Sequence, residues 1–369
     1  MFADNWKISL RQIRRLFIMD IFGMSSLMLP GILSSMTGAD GIFCLLIGAI
    51  AGAVLLWLVG ANLKHIKQDY YGYMKETAGQ LLGDIFMVFY FLYFVSLCGY
   101  VLNQVTMLIL TWLLPEGSWT GVSILLLLLG VYGSMRGIEG RARVYEIIFW
   151  FLGIPLLVML FFAIQEVNTS YWTPIVASGG IQLFGGSTAV LIFLLPFTAL
   201  LFLKPFCKKP EKMVSSAGNA LFTVIFLNML IYLILVGVFG QNTMGILERP
   251  IITLMGMVNL PGGFFTRQDV LMTAVWFFTL FALFNTGIFQ GTLILKELCQ
   301  QSENRWILVA VATAAFFIGK GFYQYSFLTE VFEIYQSQVA LPGMFFILVV
   351  LLFLHWMKTS RNVQRGGNT

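Results

Sequence analysis

The chain has 369 residues, of which 59% are hydrophobic and only 11% charged, with a formal net charge of +5. A soluble domain of that size carries about a quarter charged residues, so most of this surface meets something other than water. The basic residues lie between apolar runs and form no patch, which argues against a nucleic-acid partner. Cys44, Cys98, Cys207 and Cys299 have neither metal-like nor disulfide-framework spacing.

In chain order, ten apolar runs reach or approach the roughly 20 residues that cross a bilayer core of about 30 Å. They are expected near 12–36, 41–61, 84–112, 118–135, 144–164, 184–204, 215–239, 269–295, 305–320 and 339–357. The first follows a basic start but contains Asp20 and Pro30 and lacks a small-residue cleavage site, so it reads as a retained helix rather than a signal peptide. Gly48 and Gly52 form a GxxxG pair on the second, a pattern for close helix packing. The segment from 240 to 268 is the longest loop on its side. Within it, Ile251 to Val258 is apolar enough for a short interfacial or re-entrant helix, bordered by Arg249, Arg267 and Asp269.

Alternate segments, together with both termini, hold every Lys and Arg except Arg249, Arg267 and Lys320. The positive-inside rule then places both ends in the cytoplasm. A miscounted span would scramble this alternation, so the asymmetry supports the count as well.

Ten spans suggest two units of five. A five-helix unit ends on the side opposite to its start, so its sequel runs inverted. The expected fold class is an all-α membrane protein, a single transmembrane domain over 1–369, with 5+5 inverted repeats near 8–165 and 180–358. The first span of each half carries a possible interruption: Gly23-Met24-Ser25-Ser26 with Pro30-Gly31, and Leu194-Leu195-Pro196-Phe197-Thr198. Pro removes a backbone donor, and broken backbone in a membrane is tolerated only where it lines a cavity or water. Freed N–H and C=O groups could hold a small zwitterion. The competing reading is a pair of proline kinks with no ligand.

Several stretches resemble spore germination permeases, the B subunits of nutrient germinant receptors: Ile8-Ser9 with Gln12 and the run from Gly23 to Pro30; Arg136-Gly137-Ile138-Glu139-Gly140-Arg141 with Glu146; and Asn259-Leu260-Pro261-Gly262-Gly263-Phe264 followed by Arg267-Gln268-Asp269 and Trp276. The resemblance covers nearly the whole chain and is cumulative. It implies membership of the amino acid–polyamine–organocation superfamily, a LeuT-like fold, and sensing of a small nutrient germinant, often an amino acid, at the inner membrane of the endospore. It also implies a membrane-bound A subunit and a lipoprotein C subunit as partners. No cofactor or metal is implied.

In folds of that kind, spans 1, 3, 6 and 8 surround a central site. Depth along each helix, at 1.5 Å per residue, selects Gly23, Ser25 and Ser26, then Tyr100, Asn103 and Gln104, then Leu194, Leu195, Pro196 and Thr198, and lastly Asn285 with Thr286. Backbone near Ser25 and Leu195 is expected to bind a carboxylate and an amine. The alternative for Asn103 and Asn285 is an interhelical hydrogen bond, and for Thr198 a bond to its own helix.

Asp20 lies about 7.5 Å deeper than Arg15. Buried carboxylates in membranes serve a pathway or a partner, so Asp20 reads either as an ion-coupling group in a cytoplasmic vestibule or as half of a salt bridge to an inner loop. Arg267 and Asp269 read as an outer gate or a partner contact, and Glu146 as a partner for Arg141 or Arg143. Two histidines, no HExxH and no GxSxG argue against an enzyme. Two functions remain: a germinant-sensing subunit that signals through partners, and a proton- or ion-coupled amino-acid permease.

Overall fold

A computed structural model describes residues 7–173, 177–258, 268–301 and 305–366; for 268–272 and 361–366 only the backbone is described. Among the described residues there is no strand, only an isolated bridge between Ile8 and Cys207. The α-helices are α1 Leu10–Thr37, α2 Gly41–His65, α3 Tyr70–Ala78, α4 Gln80–Trp112, α5 Trp119–Met135, α6 Gly137–Ala163, α7 Gly180–Leu194, α8 Met213–Ile246, α9 Pro250–Met257, α10 Gln268–Cys299, α11 Arg305–Gln324, α12 Phe327–Tyr335 and α13 Leu341–Gly366.

Among the described residues, eight stretches are long and apolar enough to cross a membrane. The first of them, Leu10–His65, contains both α1 and α2 around the short turn Gly38–Asp40, and the shorter apolar α5 joins the set. Ten crossings result, in agreement with the sequence. The chain is a multi-pass integral membrane protein. The apolar segment after 250 is indeed a helix, α9, but Ile251, Ile252, Leu254 and Met255 bury it inside the bundle rather than at a lipid interface.

Local sequence sets the ends. Ser9 and Gln12 form a reciprocal capping box at the start of α1, and Asp69 and Ser118 cap α3 and α5. The segments expected on one side do meet: Arg11 and Arg15 pair with Glu146, Lys204 binds the carbonyls of Leu63 and Ile66, and Lys358 binds the Glu76 carbonyl. Glu146 therefore serves the start of α1, not Arg141 or Arg143 as the sequence suggested.

The packing repeats itself. The first span, α1, lies on the seventh, α8; the sixth, α7, lies on the second, α2. The third and eighth spans, α4 and α10, lie on each other, and a short helix, α3 or α9, precedes each of them. Small residues allow the close crossings. A Cβ on Gly48 or Gly52 would fall 2.5 or 2.6 Å from Val190 or Leu194, so the GxxxG pair seats α2 against α7.

One expectation fails. The first span is not interrupted: α1 is wound continuously for 28 residues, with Pro30 inside it. The hydroxyls of Ser25 and Ser26 bond back to the Phe22 and Gly23 carbonyls, which keeps these polar groups on their own helix. Gly23 supplies proximity instead of flexibility, because a Cβ there would lie 2.7 Å from the Thr279 Cβ on α10. The sixth span does change. At Leu195 the α-helix gives way to a 3-10 segment, Leu195–Phe206, with Pro196 in its first turn. Runs of this kind beyond three or four residues are uncommon and mark hinges or strain.

Candidate functional site

A cavity of about 550 Å³ lies where α1, α4, α7 and α10 meet, with α12 at its mouth. Its walls are mostly apolar, from Ile21, Met24 and Met28 on α1, Leu97 on α4, and Ile192 and Phe193 on α7. Its polar groups are Tyr93, Tyr100, Thr188, Gln336, Ser337 and three carboxylates, Asp20, Glu330 and Glu333. Among the described residues, no cationic side chain lines it. An acidic, apolar-walled chamber of this kind favours a ligand with a positive charge on an apolar body.

Asp20 forms the floor and is fully buried. Thr286 on α10 donates to its Oδ2 at 2.7 Å, and Arg141 on α6 donates to the same threonine oxygen. The Arg141 guanidinium lies 4.0 Å from Asp20 Oδ1. Thr286 thus relays between a carboxylate and a guanidinium contributed by different helices. Asp20 Oδ1 itself accepts no hydrogen bond, and neither does the buried Tyr93 hydroxyl make one. Buried polar groups are rarely left unpaired, so two such atoms in one cavity mark where a ligand's donor and acceptor would fit.

The sequence-selected residues divide. Asp20, Tyr100 and Pro196 line the cavity; Tyr100 reaches Met28 Sδ at 3.7 Å and packs on Phe322 and Phe332. The others are held in packing. Ser25 accepts from Asn228 Nδ2 at 3.0 Å, and Ser26 from Trp276 Nε1 at 3.1 Å. Asn103 accepts from Trp119 at 3.0 Å, and Asn285 from Ser134 at 3.2 Å. Thr198 donates to the Leu195 carbonyl at 2.8 Å. Leu194 and Leu195 are buried; Leu194 fills the gap left by Gly52. With α1 intact, no unwound backbone near Ser25 is free to hold a carboxylate.

Asp20 opens onto this chamber through the bundle interior, not onto a vestibule at the basic end. Arg267 lies outside the described residues, as does the 259–264 motif, and the Asp269 side chain is not described. Arg249, at the edge of that loop, reaches Gln104 at 3.4 Å. Sequence reasoning missed Tyr93, which looks like one aromatic among many on α4. Its distinguishing feature, a buried hydroxyl without a partner, exists only in three dimensions.

A family model described as Spore germination protein matches residues 7–326. The chain is 24% identical over 303 residues to Spore germination protein YndE of Bacillus subtilis (strain 168), covering 79% of this chain and 81% of that protein. Spore germination protein B2 of the same organism is 22% identical over 352 residues, 94% of each chain. Among solved structures, a substrate-bound outward-open Na+-coupled sialic acid symporter superposes with a TM-score of 0.66 at 14% identity, over 93% of this chain and 78% of that one. The fold is therefore that of LeuT-like transporters.

Proposed function

The chain belongs to the spore germination protein family, and from that premise we propose that it is a germinant-sensing subunit built on a permease fold. It binds a small nutrient in the central cavity and passes a conformational signal to partner subunits, an A subunit and a C-subunit lipoprotein. It sits in the inner membrane of the endospore with both termini cytoplasmic, the side that the lysine and arginine distribution favours. The two five-helix halves, near 8–165 and 180–358, are inverted repeats, and their reciprocal packing supports this reading.

The observation that carries the proposal is the cavity in which Asp20 Oδ1 and Tyr93 Oη lack hydrogen-bond partners and, among the described residues, no cation lines the wall. These groups suit an ammonium, so an amino acid or amine with an apolar side chain is the favoured nutrient. Signal transmission has an evident lever. Asp20 is tied through Thr286 to Arg141, so a ligand cation that draws on the carboxylate also loosens the hold on α6. A ligand shifts such an equilibrium by its differential affinity for the two arrangements.

Ala189 faces the cavity and is partly buried on α7. Spores carrying Ala189→Trp should contain the protein in normal amount and fail to respond to the nutrient that triggers wild-type spores. A normal response from these spores would overturn the assignment of the cavity. The alternative, a coupled permease of the same fold, requires nutrient uptake into proteoliposomes.

A further inference from the structure

A second cavity, of about 690 Å³, lies beside the turn that joins α5 to α6, against α10. Three arginines line it, Arg136, Arg141 and Arg143, against a single carboxylate, Glu139. That carboxylate is already paired with Arg143 and Arg141 faces Asp20, so among the described residues the positive charge left over in the lining is that of Arg136 at its mouth. Arg136 is exposed and binds the Tyr132 hydroxyl at 2.9 Å, its guanidinium over that ring.

The deeper wall contains two buried side chains that keep unused hydrogen-bonding capacity. Arg141 is 3% exposed and Tyr145 4%. The Arg141 Nε and the Tyr145 hydroxyl both lack a hydrogen-bond partner. Unused donor atoms at the base and the uncompensated guanidinium of Arg136 at the mouth describe an anion site.

The rim distinguishes which anion. Leu129, Met135 and Val144 are exposed apolar residues there, and Phe277, Phe278 and Phe281 form the wall along α10. In a membrane protein such exposed groups face acyl chains, so entry is from the lipid and the apolar wall suits a chain that stays attached. Basic pockets between membrane helices hold lipid headgroups in this manner.

We infer that the cavity between α5, α6 and α10 binds the phosphodiester of an anionic phospholipid, with Arg136 at its mouth and the Arg141 Nε and Tyr145 hydroxyl at its base. The site is separate from the nutrient cavity and does not depend on the proposed function. Arg141 at its base also faces Asp20, so an occupied headgroup site holds that residue.

The test uses the full chain, purified and stripped of lipid in a neutral detergent. Phosphatidylglycerol, phosphatidylcholine and inorganic phosphate are titrated separately, and binding is followed by native mass spectrometry with thermal melting alongside. Phosphatidylglycerol should bind and raise the melting midpoint, while the other two should not. Arg136→Gln should weaken phosphatidylglycerol about fivefold, and Tyr145→Phe about tenfold. Without lipid, Arg136→Gln should melt normally and Tyr145→Phe at or above the wild-type midpoint. Equal binding of phosphatidylcholine, or unchanged affinity in both variants, would overturn the site. Equal protection by inorganic phosphate would also overturn it, showing a soluble-anion site in place of a lipid one.

Discussion

Tyr93 is where structure and function separate most cleanly at the residue scale. Its hydroxyl is buried and unpaired. If it only fills space, removing the oxygen relieves a desolvation penalty of about 1–3 kcal/mol. Tyr93→Phe should therefore melt at or above the wild-type midpoint while its nutrient response weakens by about tenfold in concentration. A stabilised variant with an unshifted dose response would mean that the hydroxyl plays no part in recognition. Asp20 was legible in the sequence as a costly intramembrane carboxylate, and the salt-bridge reading of it was also open there. Its partners were not legible, because Thr286 and Arg141 lie far along the chain and meet it only after three helices have packed. Ser25 and Ser26 illustrate the opposite failure. Depth alone marked them as ligand groups, but depth does not reveal that Asn228 and Trp276, 203 and 250 residues away, are aimed at them.

At the scale of the element, span boundaries were readable because a bilayer imposes one length on every apolar run. The expected 41–61, 118–135 and 305–320 correspond to α2, α5 and α11 within a few residues. Helix breaks were less readable. The same residue types, Gly, Ser and Pro, mark a break in one span and a close crossing in another, and only the neighbouring helix decides. For α1 the decision rests on Gly23. A larger side chain there must displace Thr279 and the backbone of Leu280. Gly23→Val should cost about 1–3 kcal/mol by overpacking, seen as a lowered melting midpoint in detergent. If Gly23→Val melts like wild type, α1 and α10 are not held at this distance. The sixth span retains the irregularity that the first lacks, in its long 3-10 segment. That asymmetry leaves α7 and its continuation as the mobile candidate beside a rigid α1.

At the scale of the whole molecule, the number of crossings among the described residues agrees with the sequence. Reciprocal contacts between α1 and α8 and between α7 and α2 are what two inverted five-helix units would make. The short helices α3 and α12 were not anticipated, since each is shorter than a membrane crossing and α12 is amphipathic, with only Phe332 buried. Yet α12 supplies Glu330 and Glu333 to the mouth of the cavity. The consequence is a molecule whose interior is reached past carboxylates and ends on another one. The most direct test is equilibrium binding of a panel of amino acids and amines to the purified chain, with wild type and Ala189→Trp side by side. At least one ammonium-bearing nutrient should bind the wild type, and its affinity should fall at least a hundredfold in the variant, with the melting midpoint retained. Equal affinity in the two proteins would place the ligand elsewhere and contradict the account.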